Sequence, residues 1–412
     1  MWCGIDFGTT NCSLSFIEER QGLILPYTHI LSPHLDSKIL PNVVLFSPYG
    51  EVFVGYEALE ERRKRSQKGE DFYFLDYYKP YLDEPNLRQT FSLPEKKGLV
   101  VERTLFPEKP EKEDLLRATG AVFKKLLHSL PPKILKSISG FVIGVPTLFS
   151  HLAKYRIIHS LVRGGVLSSY RQAIQRVKFV PEPVAAAMVV SPQYDRESNM
   201  LVFDFGGGSL DLALLKCIPN EEGYLFPDSE LALGGLPIAG HYIDQKIFHE
   251  IIQKDDRYQR FSRFLSEYDK IIHLEQVETI KKRLSYEESV EDQVGQVSFV
   301  IHQKRLEALF RPELQKIEDT ILSLLARSGF RPKDIHHVVM VGGSSVIPWV
   351  QKRIELIFPH VAEKNQILFG NKGDSKEPNR EFPSEERRLT TISEGLALYP
   401  YKEKKSSHFF GG

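Results

Sequence analysis

GIDFGTTNCSLSF, residues 4–16, is similar in pattern to a later segment of the chain, LVFDFGGGSLDLA, at residues 201–213. Each segment is an apolar strand that ends in Asp-Phe-Gly, followed by a turn of small or hydroxyl residues and a second, alternating apolar strand. This pattern predicts a β-hairpin with a glycine-containing turn. Because the two copies lie about half a chain apart, they predict a duplicated fold with two related lobes.

Strand and helix patterns alternate around the two hairpins. Residues 38–46 predict a strand, and apolar residues at helical spacing predict helices over 114–127 and 312–328. This alternation is typical of the α/β class. Residues 370–386 are rich in Pro, Lys and Glu, which favours an exposed insertion, and residues 406–412 are expected to form a frayed tail.

Composition excludes several classes of protein. The 412 residues contain 54 Lys plus Arg and 54 Asp plus Glu, so the basic excess of a nucleic-acid binder is missing. No apolar stretch reaches the roughly 18–20 residues that cross a bilayer, and no basic segment precedes the first strand pattern. Cys3, Cys12 and Cys217 are odd in number and lack metal-ligand spacing. We therefore expect a cytoplasmic protein that binds neither membrane nor nucleic acid, and the sequence predicts no oligomeric state.

The turns of the two hairpins are suited to a polyphosphate. Backbone N–H groups approach phosphates closely where glycine or small hydroxyl residues form the turn. The residues of this kind are Gly8, Thr9 and Thr10 in the first turn, and Gly206, Gly207, Gly208 and Ser209 in the second. Asp6 and Asp204 end the strands before these turns and offer hard oxygen ligands for Mg²⁺, largely through water. We expect Mg-ATP between the turns; the alternative is a pair of ordinary hairpins.

Other nucleotide-binding and catalytic signatures are absent from the sequence. It contains neither a P-loop nor a dinucleotide-binding glycine motif. Asp-Phe-Gly alone does not indicate a protein kinase, because the other kinase motifs are missing. His151 and His241 have no ligand partners at metal spacing, so both are interpreted as structural.

Four motifs together resemble DnaK-type heat-shock chaperones. Residues 4–11 and 202–211 resemble the two phosphate loops of these proteins, residues 180–187 resemble the segment that crosses between lobes, and residues 338–348 resemble the adenosine motif. The order and spacing are similar over residues 1–399. The chain is identified as similar to the ATPase domain of this family, and its size is similar to that of the YegD-like branch.

The resemblance implies a two-lobed, actin-like ATPase fold of the actin/hexokinase superfamily. In such a fold, each lobe has a duplicated mixed β-sheet flanked by helices and a smaller inserted subdomain. It implies a first lobe over residues 1–183 with an insertion at about 40–112. The second lobe would cover residues 184–400 with an insertion at about 226–308, and residues 401–412 would form a tail.

The resemblance also implies roles around the phosphates. Thr9, Thr10 and Asn11 would lie at the terminal phosphates. Asp6 and Asp204 would surround Mg²⁺ and its waters, and Asp204 would orient or deprotonate the attacking water.

Two further residues are implied to be catalytic. Glu182 would join the metal-water shell and couple the lobes. Lys79 is similar in placement to the catalytic lysine of the family, whose charge would stabilise the transferred phosphoryl group. The match around Lys79 is local and short, so an exposed structural lysine remains the alternative.

A nucleoside site is implied by the segment at residues 278–285 and by the adenosine motif. Spacing places four polar residues on one helical face: Glu278, Lys281, Lys282 and Ser285. The alternative is a surface ion pair between Glu278 and Lys282. The adenosine motif contributes Gly342, Gly343, Ser344 and Ile347.

The sequence departs from the family pattern at several positions. Val346 stands where an arginine that stacks on adenine is usual, and Lys282 also replaces an arginine. Ser209 replaces a threonine but keeps its hydroxyl. After residue 399 the sequence is charged where the apolar linker to a peptide-binding domain is usual. We therefore expect no peptide-binding domain and no classical peptide capture.

These patterns and the resemblance together predict an ATPase that converts ATP slowly to ADP and phosphate. Lobe closure on Mg-ATP would drive a conformational switch, which a co-chaperone or client protein could read. Two alternatives stay open. One is a nucleotide-binding regulator or scaffold without turnover, and the other is a small-molecule kinase or filament-forming member of the superfamily.

Overall fold

The computed structural model describes residues 1–20, 23–86, 111–190, 192–220, 223–263, 265, 267–369 and 385–401. The predicted insertion at 370–386 lies outside these residues, except for its last two positions, which begin a helix. The predicted tail lies outside them beyond residue 401. No helix within the described part of the chain is both long enough and apolar enough to cross a membrane.

The β-strands follow the chain in this order: β1 (Trp2–Phe7), β2 (Asn11–Arg20), β3 (Leu23–Thr28), β4 (Leu40–Pro41), β5 (Val44–Phe46), β6 (Val52–Val54), β7 (Tyr73–Leu75), β8 (Gly140–Val145), β9 (Val177–Pro181), β10 (Ser198–Phe205), β11 (Leu210–Pro219), β12 (Leu225–Leu236), β13 (Ser289–Val294), β14 (Val297–His302), β15 (His337–Val341) and β16 (Ile367–Phe369).

The α-helices follow in this order: α1 (Tyr56–Lys68), α2 (Lys112–His128), α3 (Pro132–Ser137), α4 (His151–Arg163), α5 (Tyr170–Arg176), α6 (Glu182–Val189), α7 (Gly240–Ile247), α8 (Asp256–Ser262), α9 (Glu267–Arg283), α10 (Gln303–Leu309), α11 (Arg311–Arg327), α12 (Pro348–Ile357), α13 (Pro359–Glu363) and α14 (Glu385–Leu398). The helices predicted at 114–127 and 312–328 are confirmed as α2 and α11.

The first sheet has the strand order β3-β2-β1-β8-β9. β1 and β2 form the predicted antiparallel hairpin, in which Phe7 lies opposite Cys12, and β8 runs parallel to β1. Alternate residues of β1, Cys3, Ile5 and Phe7, belong to one hydrophobic core with residues of α2 and α4. The period-two pattern of the sequence therefore packs one face of this sheet against helices.

The second sheet repeats this arrangement with the order β12-β11-β10-β15-β16. β10 and β11 form the second predicted hairpin, with Phe205 opposite Leu210, and β15 runs parallel to β10. Leu201, Phe203 and Phe205 lie in its core. Both sheets are mixed and flanked by helices, so the predicted α/β class with a duplicated sheet is confirmed.

Two smaller sheets lie inside the predicted insertions. One has the order β6-β5-β7 and the other is the hairpin β13-β14. The single strand predicted at 38–46 is wrong, because it divides into β4, which pairs with β2, and β5, which joins the small sheet. Pro41 has no backbone N–H, so it cannot donate the hydrogen bond that a continuous strand would need at this position. The lobe boundaries stay a prediction.

The last helix, α14, packs against α6 and against β1 and β2 of the first sheet. Two glycines allow this close approach. A Cβ atom on Gly395 would lie 1.8 Å from the Ala185 carbonyl oxygen, and one on Gly4 would lie 2.3 Å from the Ser393 carbonyl oxygen. The chain thus returns to the first sheet at its C-terminal end. The predicted division, which places residues up to 400 in the second lobe, stays a prediction.

Candidate functional site

The turns of the two hairpins touch each other. A Cβ atom on Gly208 would lie 2.2 Å from Thr9 Oγ1, and one on Gly207 would lie 2.6 Å from Thr10 Cγ2. Larger residues at these positions would therefore push the turns apart. Asn42 supports the first turn, because its Nδ2 donates to the Gly8 carbonyl oxygen at 2.7 Å. The two predicted phosphate loops thus face one space.

That space is an open pocket lined by both turns. Every predicted site residue except Lys79 lies among its lining residues: Asp6, Gly8, Thr9, Thr10, Asn11, Glu182, Asp204, Gly206, Gly207, Gly208, Ser209, Glu278, Lys281, Lys282, Ser285, Gly342, Gly343, Ser344 and Ile347. Residues from five distant segments of the chain therefore converge on one place.

Lys79 reaches the pocket through Glu182. It begins a short 3-10 helix, Lys79–Asp83, and its Nζ donates to Glu182 Oε1 at 2.6 Å. The residue is only 2% exposed, so it does not have the exposed position of the alternative, and its catalytic role stays a prediction. Burial lowers the pKa of Lys79, but the charges of Glu182 and Asp6 outweigh burial and leave the pKa above its usual value.

The charge of Lys79 compensates the carboxylates of the pocket only in part. Burial, and then the charge of Glu182, raise the pKa of Asp6 to about 8, against the opposing effect of Lys79. Burial also raises the pKa of Asp204 well above its usual value, with further contributions from Glu182, Asp211 and Asp6. Asp6 Oδ1 is buried and has no hydrogen-bond partner among the described atoms. A site with these properties favours an added cation.

Asp211 lies in the pocket wall, although it was not predicted as a site residue. Its Oδ1 accepts hydrogen bonds from the backbone N–H and the hydroxyl of Thr147 at 2.6 and 2.7 Å, and its Oδ2 accepts from Ser209 Oγ at 2.5 Å. β11 carries Asp211 directly opposite Asp204 on β10. The signal was present in the sequence, because a hairpin with this turn pairs these two positions.

Lys281 is held on the inner face of α9. Its Nζ donates to Asp244 Oδ2 at 2.7 Å and to the Gly240 carbonyl oxygen at 3.0 Å. Burial raises the pKa of Asp244 to about 7, although Lys281 opposes that shift. Lys281 therefore fixes α9 against α7 at the pocket wall.

Lys282 forms the surface ion pair that spacing allowed. Its Nζ lies 3.2 Å from Glu278 Oε1, and the two side chains are 57% and 32% exposed. Both residues nevertheless line the pocket, as does Ser285. The ion pair and a place in the pocket wall are thus compatible.

His241 and Tyr77 stack across the pocket, with ring centroids 3.5 Å apart and an angle of 25° between the rings. Burial, together with the charge of Lys281, lowers the pKa of His241 to about 4. Tyr77 has a φ of 45°, which is unusual for a bulky residue. His151 is exposed at the start of α4. Among the described residues, no three His, Cys, Asp or Glu side chains form a metal-binding group.

Comparison with known proteins yields one family. The family model described as Hsp70 protein matches residues 2–366. A chaperone protein dnaK1 from Prochlorococcus marinus subsp. pastoris is 26% identical over 374 residues, which is 87% of this chain and 52% of that protein. A chaperone protein HscA homolog from Mannheimia succiniciproducens is 23% identical over 402 residues, 90% of this chain and 59% of that protein.

The chain therefore spans between half and three fifths of the length of these curated relatives. The mixed sheets and the paired glycine turns agree with the actin-like ATPase fold of that family. Because the Hsp70 model matches most of its length, this chain belongs to the Hsp70 family.

Proposed function

We propose that this chain binds ATP or ADP with Mg²⁺ in the pocket between the two hairpin turns and slowly hydrolyses ATP to ADP and phosphate. One observation carries the proposal. The buried Lys79–Glu182 pair lies beside Asp6 and Asp204, and Glu182 shares the pocket wall with both turns. A buried lysine among several carboxylates, next to two glycine turns, is an arrangement suited to phosphoryl transfer.

Phosphate binding is assigned to the two turns. Backbone N–H groups of Gly206, Gly207 and Gly208 can approach phosphate oxygens, and the hydroxyls of Thr9 and Thr10 can donate to them. Glycine is needed at 207 and 208 for the turns to meet. The terminal phosphates would therefore occupy the space between the turns.

Mg²⁺ fits the acidic part of the pocket. Asp6 Oδ1 is buried without a hydrogen-bond partner among the described atoms, and Asp204 ends the matching strand. With no group of three ligand side chains in the described part of the chain, these two carboxylates would hold the ion together with phosphate oxygens and water. When bound, the ion supplies positive charge that neutralises the phosphates.

Hydrolysis is assigned to Asp204 and Lys79. A water oxygen forms a bond to the γ-phosphorus while the bond to the bridging oxygen breaks, and Asp204 accepts the proton of that water. A carboxylate accepts a proton only when it is ionised, so the positive charge of Lys79 is needed to oppose the raised pKa of Asp204. Lys79 and the metal would also stabilise the negative charge that develops on the phosphoryl group.

The nucleoside is assigned to α9 and the segment after β15. Glu278 and Ser285 could bond ribose and base, and Gly342 and Gly343 would let the backbone lie against the nucleoside. Gly342 has a φ of 83°, and a Cβ atom there would lie 2.5 Å from the Phe205 carbonyl oxygen. Only glycine suits this position.

A change of angle between the two halves would follow hydrolysis, because the phosphates contact both turns. We propose that a partner protein, of the co-chaperone or client type, reads this movement. The relatives in the comparison are named as chaperones.

The proposal is tested by phosphate release from Mg-ATP, together with calorimetric binding of ATP and ADP. The variants are Lys79→Ala and Asp204→Asn, and Lys64→Ala is the matched control, because Lys64 lies in an exposed ion pair with Glu60. We expect both site variants to lower turnover about 100-fold or more while they keep nucleotide binding, and the control to match wild type. Binding without turnover in the wild type would favour a nucleotide-binding regulator instead. No binding at all would overturn the proposal.

A further inference from the structure

One end of the pocket is formed by α14 and by the residues that follow α9. Arg388 and Leu389 of α14 lie in the pocket wall, together with Tyr286 and Val346. A Cβ atom on Gly343 would lie 3.9 Å from Leu389 Cδ2, so α14 closes on the backbone of the glycine pair. This end therefore combines apolar side chains with one guanidinium and one phenol. That combination is typical of a site for a flat, partly polar ring.

Arg388 is placed in this wall by long-range packing. The residue is 7% exposed, and its Nη2 donates to Tyr286 Oη at 3.2 Å. α14 packs against the first sheet, whereas Tyr286 follows α9 in the second half of the chain. The contact therefore bridges the two halves at the pocket. Tyr286 itself is 61% exposed, so its ring is reachable from solvent.

We infer that Arg388 contacts the nucleobase and that Tyr286 orients the Arg388 guanidinium toward it. This inference rests on the proposed function, because it names the group that binds one part of the proposed ligand. A guanidinium is planar, stacks on aromatic faces and donates to ring nitrogens, whereas the nearby Val346 can offer only apolar contact. The sequence places valine where the family pattern has an arginine. In this chain, the guanidinium reaches the base from α14 instead.

The test separates base binding from phosphate binding. Calorimetry measures the Kd of ADP and, separately, of pyrophosphate, which has no base, each with Mg²⁺. The variants are Arg388→Ala, Arg388→Lys and Tyr286→Phe. Arg353→Ala is the matched control, because Arg353 pairs with Glu318 between α12 and α11. Thermal unfolding of each variant reports whether α14 stays packed.

We expect Arg388→Ala to raise the Kd of ADP about 3- to 30-fold and to leave the Kd of pyrophosphate within about twofold of the wild-type value. Arg388→Lys keeps the positive charge but loses the planar guanidinium, so it should raise the Kd of ADP nearly as much. Tyr286→Phe should give a smaller loss of affinity, for ADP alone.

Equal losses of affinity for ADP and pyrophosphate would show that Arg388 only supports the pocket wall and would overturn the inference, as would no loss for either. If wild type binds pyrophosphate but not ADP, the inference fails while the phosphate site stands. If wild type binds neither, the proposed function fails first.

Discussion

Tyr77 and His241 stack on each other across the pocket, although they come from opposite halves of the chain. Tyr77 lies two residues before Lys79, and the backbone N–H of His241 donates to the Gly207 carbonyl oxygen at 2.9 Å. The stack therefore joins the segment that carries Lys79 to the turn that is assigned to phosphate. Separating the two halves of the pocket must break it.

Tyr77→Ala should accelerate nucleotide release. An aromatic pair contributes about 0.5–1.5 kcal/mol beyond buried area, so we expect the rate constant for ADP release to rise roughly 2- to 10-fold. Tyr77→Phe keeps the ring and should behave like wild type. The measurement is stopped-flow displacement of a fluorescent ADP. Tyr155→Ala is the control, because Tyr155 stacks on Tyr170 at the surface. Equal release rates in Tyr77→Ala and in this control would contradict a closing role for the stack.

Lys281 and Lys282 are neighbours with different energetics. Lys281→Met should lower the free energy of unfolding by about 3–5 kcal/mol, because it leaves the Asp244 carboxylate buried without its cation. Lys282→Met removes only an exposed pair and should cost at most about 0.5 kcal/mol. Urea denaturation of the nucleotide-free protein gives both values. Adding Asp244→Asn to Lys281→Met should restore part of the loss. Similar losses for the two single variants would argue against this account.

The hairpins and their turns were predictable because their signals are local. Alternating apolar residues determine the pleat, and the Asp-Phe-Gly turn determines where each hairpin reverses. That the two turns and residues 278–285 line one pocket could be expected only from the resemblance, which rests on the order of the motifs along the chain. The prediction of a single strand over 38–46 was wrong, because after Pro41 the pairing changes from the first sheet to a small sheet.

What the sequence did not predict depends on contacts between distant segments. His241 was interpreted as structural, and nothing in its neighbourhood in the sequence points to Tyr77. Arg388 belongs to the site only because α14 returns to the first sheet, which requires the close backbone approach at Gly395. Asp211 could have been found, because strand register alone pairs it with Asp204.

Gly395→Ala tests the docking of α14. Alanine in a helix interior is normally favoured over glycine by about 1 kcal/mol. Here the added Cβ would lie 1.8 Å from the Ala185 carbonyl oxygen, so backbone must shift, and we expect a net loss of about 1–3 kcal/mol. Gly234→Ala is the control, because its nearest neighbour is the flexible Leu324 side chain at 3.3 Å. Thermal unfolding measures both. A rise in Tm for Gly395→Ala would mean that α14 does not pack as described.

Asp6 links stability to pH. Its pKa of about 8 exceeds the ordinary value of 3.8, so the folded protein holds this proton more tightly than the unfolded chain does. The favourable contribution is fully present below pH 3.8 and is lost as pH rises through about 8. At neutral and higher pH the buried carboxylate therefore opposes folding.

Asp6→Asn removes this titration. We expect the variant without nucleotide to be more stable than wild type, by about 1–3 kcal/mol at pH 8 and much less at pH 5. His241 and His337, with pKa values of about 4, have the opposite dependence: their contribution is complete above pH 6.5 and is lost as pH falls toward 4. These histidines are present in both proteins, so their effect cancels in the difference between variant and wild type.

Urea denaturation of wild type and Asp6→Asn at pH 5, 6.5 and 8 measures that difference. Mg-ADP should reduce or reverse it, because a cation beside Asp6 favours the ionised carboxylate of the wild type and the amide cannot replace that charge. A stability difference that stays constant with pH would exclude Asp6 as the titrating group. A difference that grows with pH but ignores Mg-ADP would place the cation away from Asp6. We expect the stability difference to grow with pH and to shrink when Mg-ADP is added. A carboxylate that favours ligand binding but lowers stability should produce both effects.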